Sequence, residues 1–338
     1  AAQHAIWIAL VAAAMWLAMQ IARSETAATV AGLVVTFDLP AVQASISVLS
    51  ETLAAAMLTG AVMCTVRSMR ADSFAVARRF ALLGGVLAGA TALVRPIAIG
   101  LGVPLAIALL VGADRRWRVA AAGMLLVMFS VIPIVWTVRN ARQTGVAHFS
   151  SLAGINLLHY RAAGTLAIRD PGGLDANLLR RRDELEAIAC RNLEATYQRP
   201  CPALSWAQRS GEYASVAWPI ILGDPVASAW QAGRALGMIV LGGSANLLSE
   251  VTGLSERVTR RISMAYTAPL ALLALLGIPY WWRRDRAFAV LVLLVLAYMF
   301  GMALGAEAYS RFRVPVLVLY AILCGGGVAR LRLKAHTA

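Results

Sequence analysis

The 338-residue sequence is poor in charge and almost without lysine: 14% of it is Asp, Glu, Lys or Arg, and Lys334 is the single lysine among 31 basic residues. A soluble chain carries about 25% charged residues, so these are too few to cover a water-facing surface. Histidine is also scarce. His4, His148, His159 and His336 are scattered, and no pair has the spacing of zinc ligands. Walker A, G-x-S-x-G and dinucleotide fingerprints are missing, which disfavours a nucleotide-using pump. There is no internal repeat and no low-complexity tract. An initial Met, a basic n-region and an A-x-A cleavage site are absent as well, while residues 5–19 already read as an apolar helix. The expectation is a chain whose upstream part is not included.

What is present is apolar: 60% of the residues are hydrophobic and mean hydropathy is +0.70. The net charge of +14 and the pI near 10.7 superficially suit a nucleic-acid binder. The arginines, however, cluster in short gaps between apolar runs rather than along one stripe, the pattern of membrane topology. No nucleic acid is expected as a partner.

Stretches long enough to cross hydrocarbon occur at 4–21, 27–42, 48–67, 80–94, 97–112, 119–138, 264–282, 287–305 and 314–331. The positive-inside rule assigns their sides consistently. One side collects 14 basic residues, from Arg23 to Lys334, against Glu25, Asp72, Asp114 and Asp285, and reads as cytoplasmic. The opposite side carries residues 143–262, with 12 Arg against 10 acids, a segment long enough to fold by itself. The expected fold is an all-α integral membrane protein of about nine transmembrane helices with a small, mainly helical external domain. Its domains are 1–142 (six spans), 143–262 (external, periplasmic side) and 263–338 (three spans and a short tail), in a cell's inner membrane. Within 213–245 the chain turns apolar, with Asp224 and Pro225 placed as N-cap and first helical residue. That stretch reads either as a helix in the interface or as a re-entrant hairpin or extra span; Asp224 and Arg234 favour the interface.

Cys64 and Cys324 lie in apolar runs and read as buried hydrophobes. Cys190 and Cys201 flank CRNLEATYQRPC, a loop that closes a disulfide in an oxidising compartment and holds two thiols otherwise.

Ionisable groups at membrane depth are costly and mark function by default. Asp38, Glu51, Arg95, Arg139, Glu307, Arg311 and Arg313 all fall at the outer ends of expected spans, suggesting a polar cavity on the external face. Each has a plainer reading. Glu51 suits the positive end of a helix, Arg95 a snorkelling position, and the Arg311/Arg313 pair interface anchoring or pairing with Glu307. Two guanidiniums in an R-x-R pair also suit a phosphate. His159 and Tyr160 stand in the external stretch SSLAGINLLHYRAAG.

Four segments in order carry a resemblance. AGLVVTFDLPAVQASISVLSETLAAAML resembles the helix, short loop and L-S-E-T-L of GT-C superfamily membrane glycosyltransferases, family 39, which holds the dolichyl-phosphate-mannose-protein mannosyltransferases and aminoarabinose transferases. GGVLAGATALVRP resembles the family's G-L-x-x-G-L-A-x-L-T-R-P, with Val94 where Thr is usual. PIVWTVRNARQTGVAHFSSLAGINLLHY resembles P-W-T-x-R-N leading into N-G-G-x-N-L-Y, and SRFRVPV resembles R-Y-R-x-P.

The resemblance implies a transferase that takes a sugar from a polyprenyl-phosphate donor at the outer membrane face and gives it to a hydroxyl of a protein, lipid or glycan. Glu51 matches the family's second acidic position near the sugar, and Arg95, Arg139, Asn156, Tyr160, Arg311 and Arg313 are candidates for binding substrate. The family's principal acid lies in an external loop upstream of the first matching helix, so the chain as given is expected to lack it and to be inactive alone. No cofactor is assigned, and members of the superfamily differ in metal dependence, which leaves a divalent ion open. The competing class is a non-enzymatic flippase or transporter subunit that uses the same arginines to hold a phosphate lipid.

Overall fold

The computed structural model describes residues 2–46 and 50–335. Residues 47–49, which the expected 48–67 span enters, and His336 lie outside the described residues.

All regular structure among the described residues is helical. In order, the α-helices are α1 (Ala2–Ala22), α2 (Glu25–Phe37), α3 (Leu39–Ile46), α4 (Ser50–Met69), α5 (Phe74–Val94), α6 (Gly102–Gly112), α7 (Arg118–Thr144) and α8 (Leu152–Ile155). After a π-helical segment, Asn156–Ala162, come α9 (Ala163–Arg169), α10 (Gly173–Tyr197), α11 (Trp206–Gly223), α12 (Pro225–Leu241), α13 (Ala245–Thr252), α14 (Glu256–Arg284), α15 (Arg286–Ala303) and α16 (Leu317–Ala335). Short 3₁₀ turns occur at Pro96–Ala98, Cys201–Ala203 and Ser310–Val316.

Among the described residues, seven segments are long and apolar enough to cross a membrane: α1, α4, α5, α7, α14, α15 and Ser310–Leu333. Two bent pairs meet the same test jointly, α2 with α3 (55°) and α12 with α13 (45°), which raises the number to nine if each pair is one span. The stretch expected as a span at 27–42 is bent at Asp38, between α2 and α3. The expected span at 97–112 is a shorter apolar helix, Pro96–Gly112. Its regular part, the 11 residues of α6, rises only about 16 Å against some 30 Å of hydrocarbon. The apolar stretch at 213–245 becomes α11 and α12, which meet at Asp224. There the amide of Ala227 donates to Asp224 Oδ1 at 2.9 Å, the cap expected from the sequence.

Contacts divide the chain into two compact units. One comprises Ala1–Pro133, Ile239–Met302 and Ser310–Ala338; the other comprises Ile134–Met238 and Ala303–Tyr309. The boundaries fall inside α7 at Pro133, inside α12 at Ile239 and on both sides of a seven-residue loop.

In the first unit, glycines let helix backbones touch. A Cβ on Gly277 of α14 would overlap the Leu323 carbonyl of α16, and one on Gly85 of α5 would overlap the Leu125 carbonyl of α7. Wholly buried Trp281 donates its indole N–H to the Ile322 carbonyl at 2.9 Å, so this large ring leaves no polar atom unsatisfied in the α14–α16 seam. The second unit has its own core of Leu158, Leu174, Leu185, Leu193, Leu204 and Tyr213, closed by a Cys190–Cys201 disulfide between the C-terminal part of α10 and the turn after it.

Gly277→Leu should therefore lower stability by about 1–3 kcal/mol or more by overpacking. Gly123→Ala, where a Cβ meets nothing within 4 Å, should leave it unchanged or slightly higher. Thermal unfolding of the purified variants measures both.

Candidate functional site

The first unit contains two helix breaks that must satisfy the backbone groups they release. At the first, Asp38 ends α2 and its Oδ1 accepts from the Ala41 amide at 3.1 Å, capping α3. At the second, α12 stops at Leu241, and Gly242 to Ser244 bridge to α13. A single guanidinium serves both. Arg313 Nη2 and Nε donate to Asp38 Oδ2 at 2.7 and 3.2 Å, while Nη1 donates to the carbonyls of Ile239, Val240 and Gly242 at 3.0, 2.8 and 3.4 Å. Arg313 is 1% exposed and Asp38 0%. Helix α14 supplies three further donors: Tyr266 to the Phe37 carbonyl (3.0 Å), Thr267 to that of Leu241 (2.6 Å) and Ser263 to that of Gly243 (2.9 Å). Arg313, expected beside Arg311 at a phosphate, is thus turned inward and occupied by the protein's own acceptors.

The second arrangement follows from helix length. α4 and α5, of 20 and 21 residues, fold back on each other through the turn at 70–73, where Ser68 Oγ donates to the Ala77 carbonyl at 2.9 Å. The first turn of α4 therefore lies beside the C-terminus of α5, and each end carries the charge its helix dipole favours. Glu51 Oε1 and Arg95 Nη1 are 2.7 Å apart, with 5% and 13% of their side chains exposed. The nitrogen is enclosed, yet among the described residues no acceptor lies in line with its N–H bonds. The contact is thus an ion pair without a well-aligned hydrogen bond. Thr52 Oγ1 donates to the Ala44 carbonyl at 3.2 Å and ties this end of α4 to α3. The ring of Phe312 holds two cations, with the guanidinium carbons of Arg95 and Arg311 at 5.5 and 5.6 Å from its centre. The 3₁₀ turn explains why Arg311 and Arg313 part company. At three residues per turn Ser310 and Arg313 share the buried face, and Arg311 stands exposed. Two guanidiniums, one enclosed and one exposed, therefore share one aromatic ring, and the enclosed one carries the Glu51 carboxylate as its partner.

The other candidates belong to the second unit. Arg139 lies 4.6 Å from the Trp136 ring centre and donates to Asn140 Oδ1 at 3.0 Å; Asn140 in turn donates to the carbonyls of His148 and Phe149. Asn156, exposed, opens the π-helical segment. That segment widens the helix and leaves the Tyr160 carbonyl to outside donors, the Ala306 amide at 2.7 Å and Gln231 Nε2 at 2.5 Å. Loop 303–309 is thereby docked, and Glu307 reaches Arg182 Nη1 at 3.2 Å, while Arg182 also covers the Tyr160 ring. Glu307 thus pairs with Arg182. Burial and the neighbouring Glu307 push the Tyr160 phenol upward. The His159 imidazole, 8% exposed, has Nε2 3.4 Å from Glu186 Oε2, and Glu186 accepts from Tyr213 Oη at 2.8 Å. Burial pushes His159 below the usual imidazole range against the pull of Glu186, and burial with the Glu186 hydrogen bond pushes Tyr213 up to about 12.

The sequence reading missed Asp38 as the partner of Arg313, Arg182 as that of Glu307, and the Glu51–Arg95 pair. Only the last had a local signal, in two consecutive helices of nearly equal length with opposite charges at adjoining ends. No grouping of three His, Cys, Asp or Glu side chains among the described residues has the geometry to hold a metal ion. No family model, curated protein or solved structure matches the chain.

Two outcomes follow. Asp38→Ala leaves the Arg313 charge buried and unpaired and should cost about 3–5 kcal/mol, read by thermal or denaturant unfolding. Because burial favours neutral His159, the unfolded chain binds that proton first on acidification. Stability should be full above the ordinary imidazole value of about 6.5 and fall as pH drops below it. Melting curves between pH 8 and 5 should show this slope in the wild type and a shallower one in His159→Gln.

Proposed function

We propose that this protein is a multi-pass membrane glycosyltransferase, moving a sugar from a polyprenyl-phosphate donor to a hydroxyl of a protein, lipid or glycan at the outer face of a cell's inner membrane. The membrane setting rests on seven to nine helices apolar and long enough to span. The observation that carries the chemistry is that Arg95 and Arg311 share the Phe312 ring while Arg95 is paired with Glu51. Departure of a lipid phosphate leaves negative charge, which preorganised guanidiniums in a poorly hydrated place stabilise strongly. A carboxylate beside them orients or deprotonates the attacking hydroxyl. The resemblance gives Glu51 the second acidic place, near the sugar.

Arg311 is the cation better placed to meet an incoming phosphate, because it is exposed, while Arg95 is enclosed and receives the charge as it develops. Arg313 supports the site through the fold. Arg139, Asn156 and Tyr160 are assigned to holding donor or acceptor by resemblance.

The test is release of polyprenyl phosphate from polyprenyl-phosphate-mannose by the intact protein in proteoliposomes supplied with a membrane extract as acceptor. Arg95→Ala and Arg311→Ala should each reduce turnover about 10²-fold, the usual loss of one charge-stabilising donor. Unchanged turnover in both removes the phosphate role. Tight donor binding without sugar release by the wild type favours a flippase or transporter subunit over a transferase.

A further inference from the structure

In the Glu51–Arg95 contact the carboxylate assigned to the acceptor and the cation assigned to the phosphate are bound to each other. Glu51 Oε1 lies 2.7 Å from Arg95 Nη1, both side chains are nearly enclosed, and Nη1 has no in-line acceptor among the described residues. Two charges in such a place attract strongly, yet this pair lacks the parallel, aligned hydrogen bonds of the strongest carboxylate–guanidinium contacts.

A phosphoryl group carries more charge and more acceptor atoms than a carboxylate and matches the guanidinium fork. Arg95 therefore gains by exchanging Glu51 for a phosphoryl group. Glu51 is not stranded by the exchange, because it sits in the first turn of α4, where the positive end of the helix continues to favour it. Arg95 is held for the exchange by its backbone. Its amide donates to the Thr91 carbonyl at 2.8 Å, its own carbonyl accepts from Ala98 at 2.9 Å, and Pro96 fixes the next residue. Exposed Arg311, on the same Phe312 ring, gives an incoming phosphoryl group a first foothold.

We propose that the Glu51–Arg95 ion pair is an exchangeable lock: a phosphoryl group displaces Glu51 from Arg95 and so releases the carboxylate towards the acceptor hydroxyl. Donor binding then precedes acceptor activation, and a site without donor keeps its carboxylate engaged. This rests on the reading of the site as one for a phosphate-bearing donor.

The test is equilibrium binding to the intact protein in nanodiscs, with farnesyl phosphate, inorganic phosphate and farnesol as probes. Glu51 competes with the phosphoryl group, so Glu51→Gln should bind farnesyl phosphate more tightly than the wild type, by roughly ten-fold for the loss of one charged competitor. Arg95→Ala should bind it at least about ten-fold more weakly. If Arg95→Ala binds like the wild type, the phosphate reading itself fails. If Arg95→Ala loses binding but Glu51→Gln is unchanged or weaker, the lock fails and the reading stands. Tightening for inorganic phosphate as well supports exchange by any phosphoryl group, and tightening for farnesyl phosphate alone supports exchange by a lipid headgroup. Equal tightening for farnesol overturns the lock, since the gain would then not concern charge. Should Glu51→Gln fail to fold, Glu51→Asp keeps the charge and withdraws it by one methylene. It should tighten farnesyl phosphate binding in the same direction by a smaller factor, and wild-type or weaker affinity there overturns the lock.

Discussion

Much of the first unit hangs on the guanidinium of Arg313. Breaking a helix inside an apolar interior strands carbonyls that water cannot reach, and each stranded group costs free energy comparable to a lost hydrogen bond. Here two breaks, at Asp38 and at 242–244, meet one side chain with enough donors for both. Ser263, Tyr266 and Thr267 on α14 take three further carbonyls, those of Gly243, Phe37 and Leu241. Such an ion pair adds little net stability compared with apolar packing. Its effect is on specificity, because moving either break would orphan acceptors at the other. From that anchor the geometry propagates. Asp38 caps α3, Ala44 at the end of α3 receives Thr52, and Thr52 stands next to Glu51, which meets Arg95.

The second unit uses a different device for a related problem. A π-helical segment replaces the ordinary ladder at 156–162 and turns one carbonyl, that of Tyr160, into a socket for two donors far away in sequence. The close approach depends on Gly164, where a Cβ would overlap the Gln231 amide and Ala306. The result is a loop, 303–309, that belongs to this unit while the residues on either side belong to the other. Glu307 is thus held by Arg182 from α10, although in sequence it stands only four residues before Arg311.

How much of this is legible in the sequence depends on the range over which each feature is set. Apolar length is local, and the long apolar helices follow from it directly. Caps are local too: Asp224 begins α12 through its bond to the Ala227 amide. Breaks are less legible, since Asp38 and Pro40 permit a bend without requiring one; the bend exists because Arg313, 275 residues later, is there to stabilise it. The R-x-R spacing was ambiguous for a geometric reason. In extended chain residues i and i+2 share a face, whereas at three residues per turn they point apart, and only the structure shows that 310–316 takes the second form. The Glu51–Arg95 pair was within reach of sequence reasoning, because hairpin helices of nearly equal length bring their outer ends together.

The three arginines near the end of α5 and in the turn before α16 form a graded series in exposure and in how fully the protein's own acceptors hold them. Arg313 is wholly enclosed, and its donors are distributed over one carboxylate and three carbonyls, so a ligand would have to dismantle the fold to reach it. Arg311 is exposed, where water screens much of its attraction for an anion. Arg95 lies between them, enclosed enough for its field to act at full strength and held by a single carboxylate at one nitrogen. A cation that is to stabilise a charge appearing only during reaction needs both properties: poor solvation beforehand, and a partner it can give up. Among these three arginines the combination occurs at Arg95, and the partner it would give up is the one acid in the group.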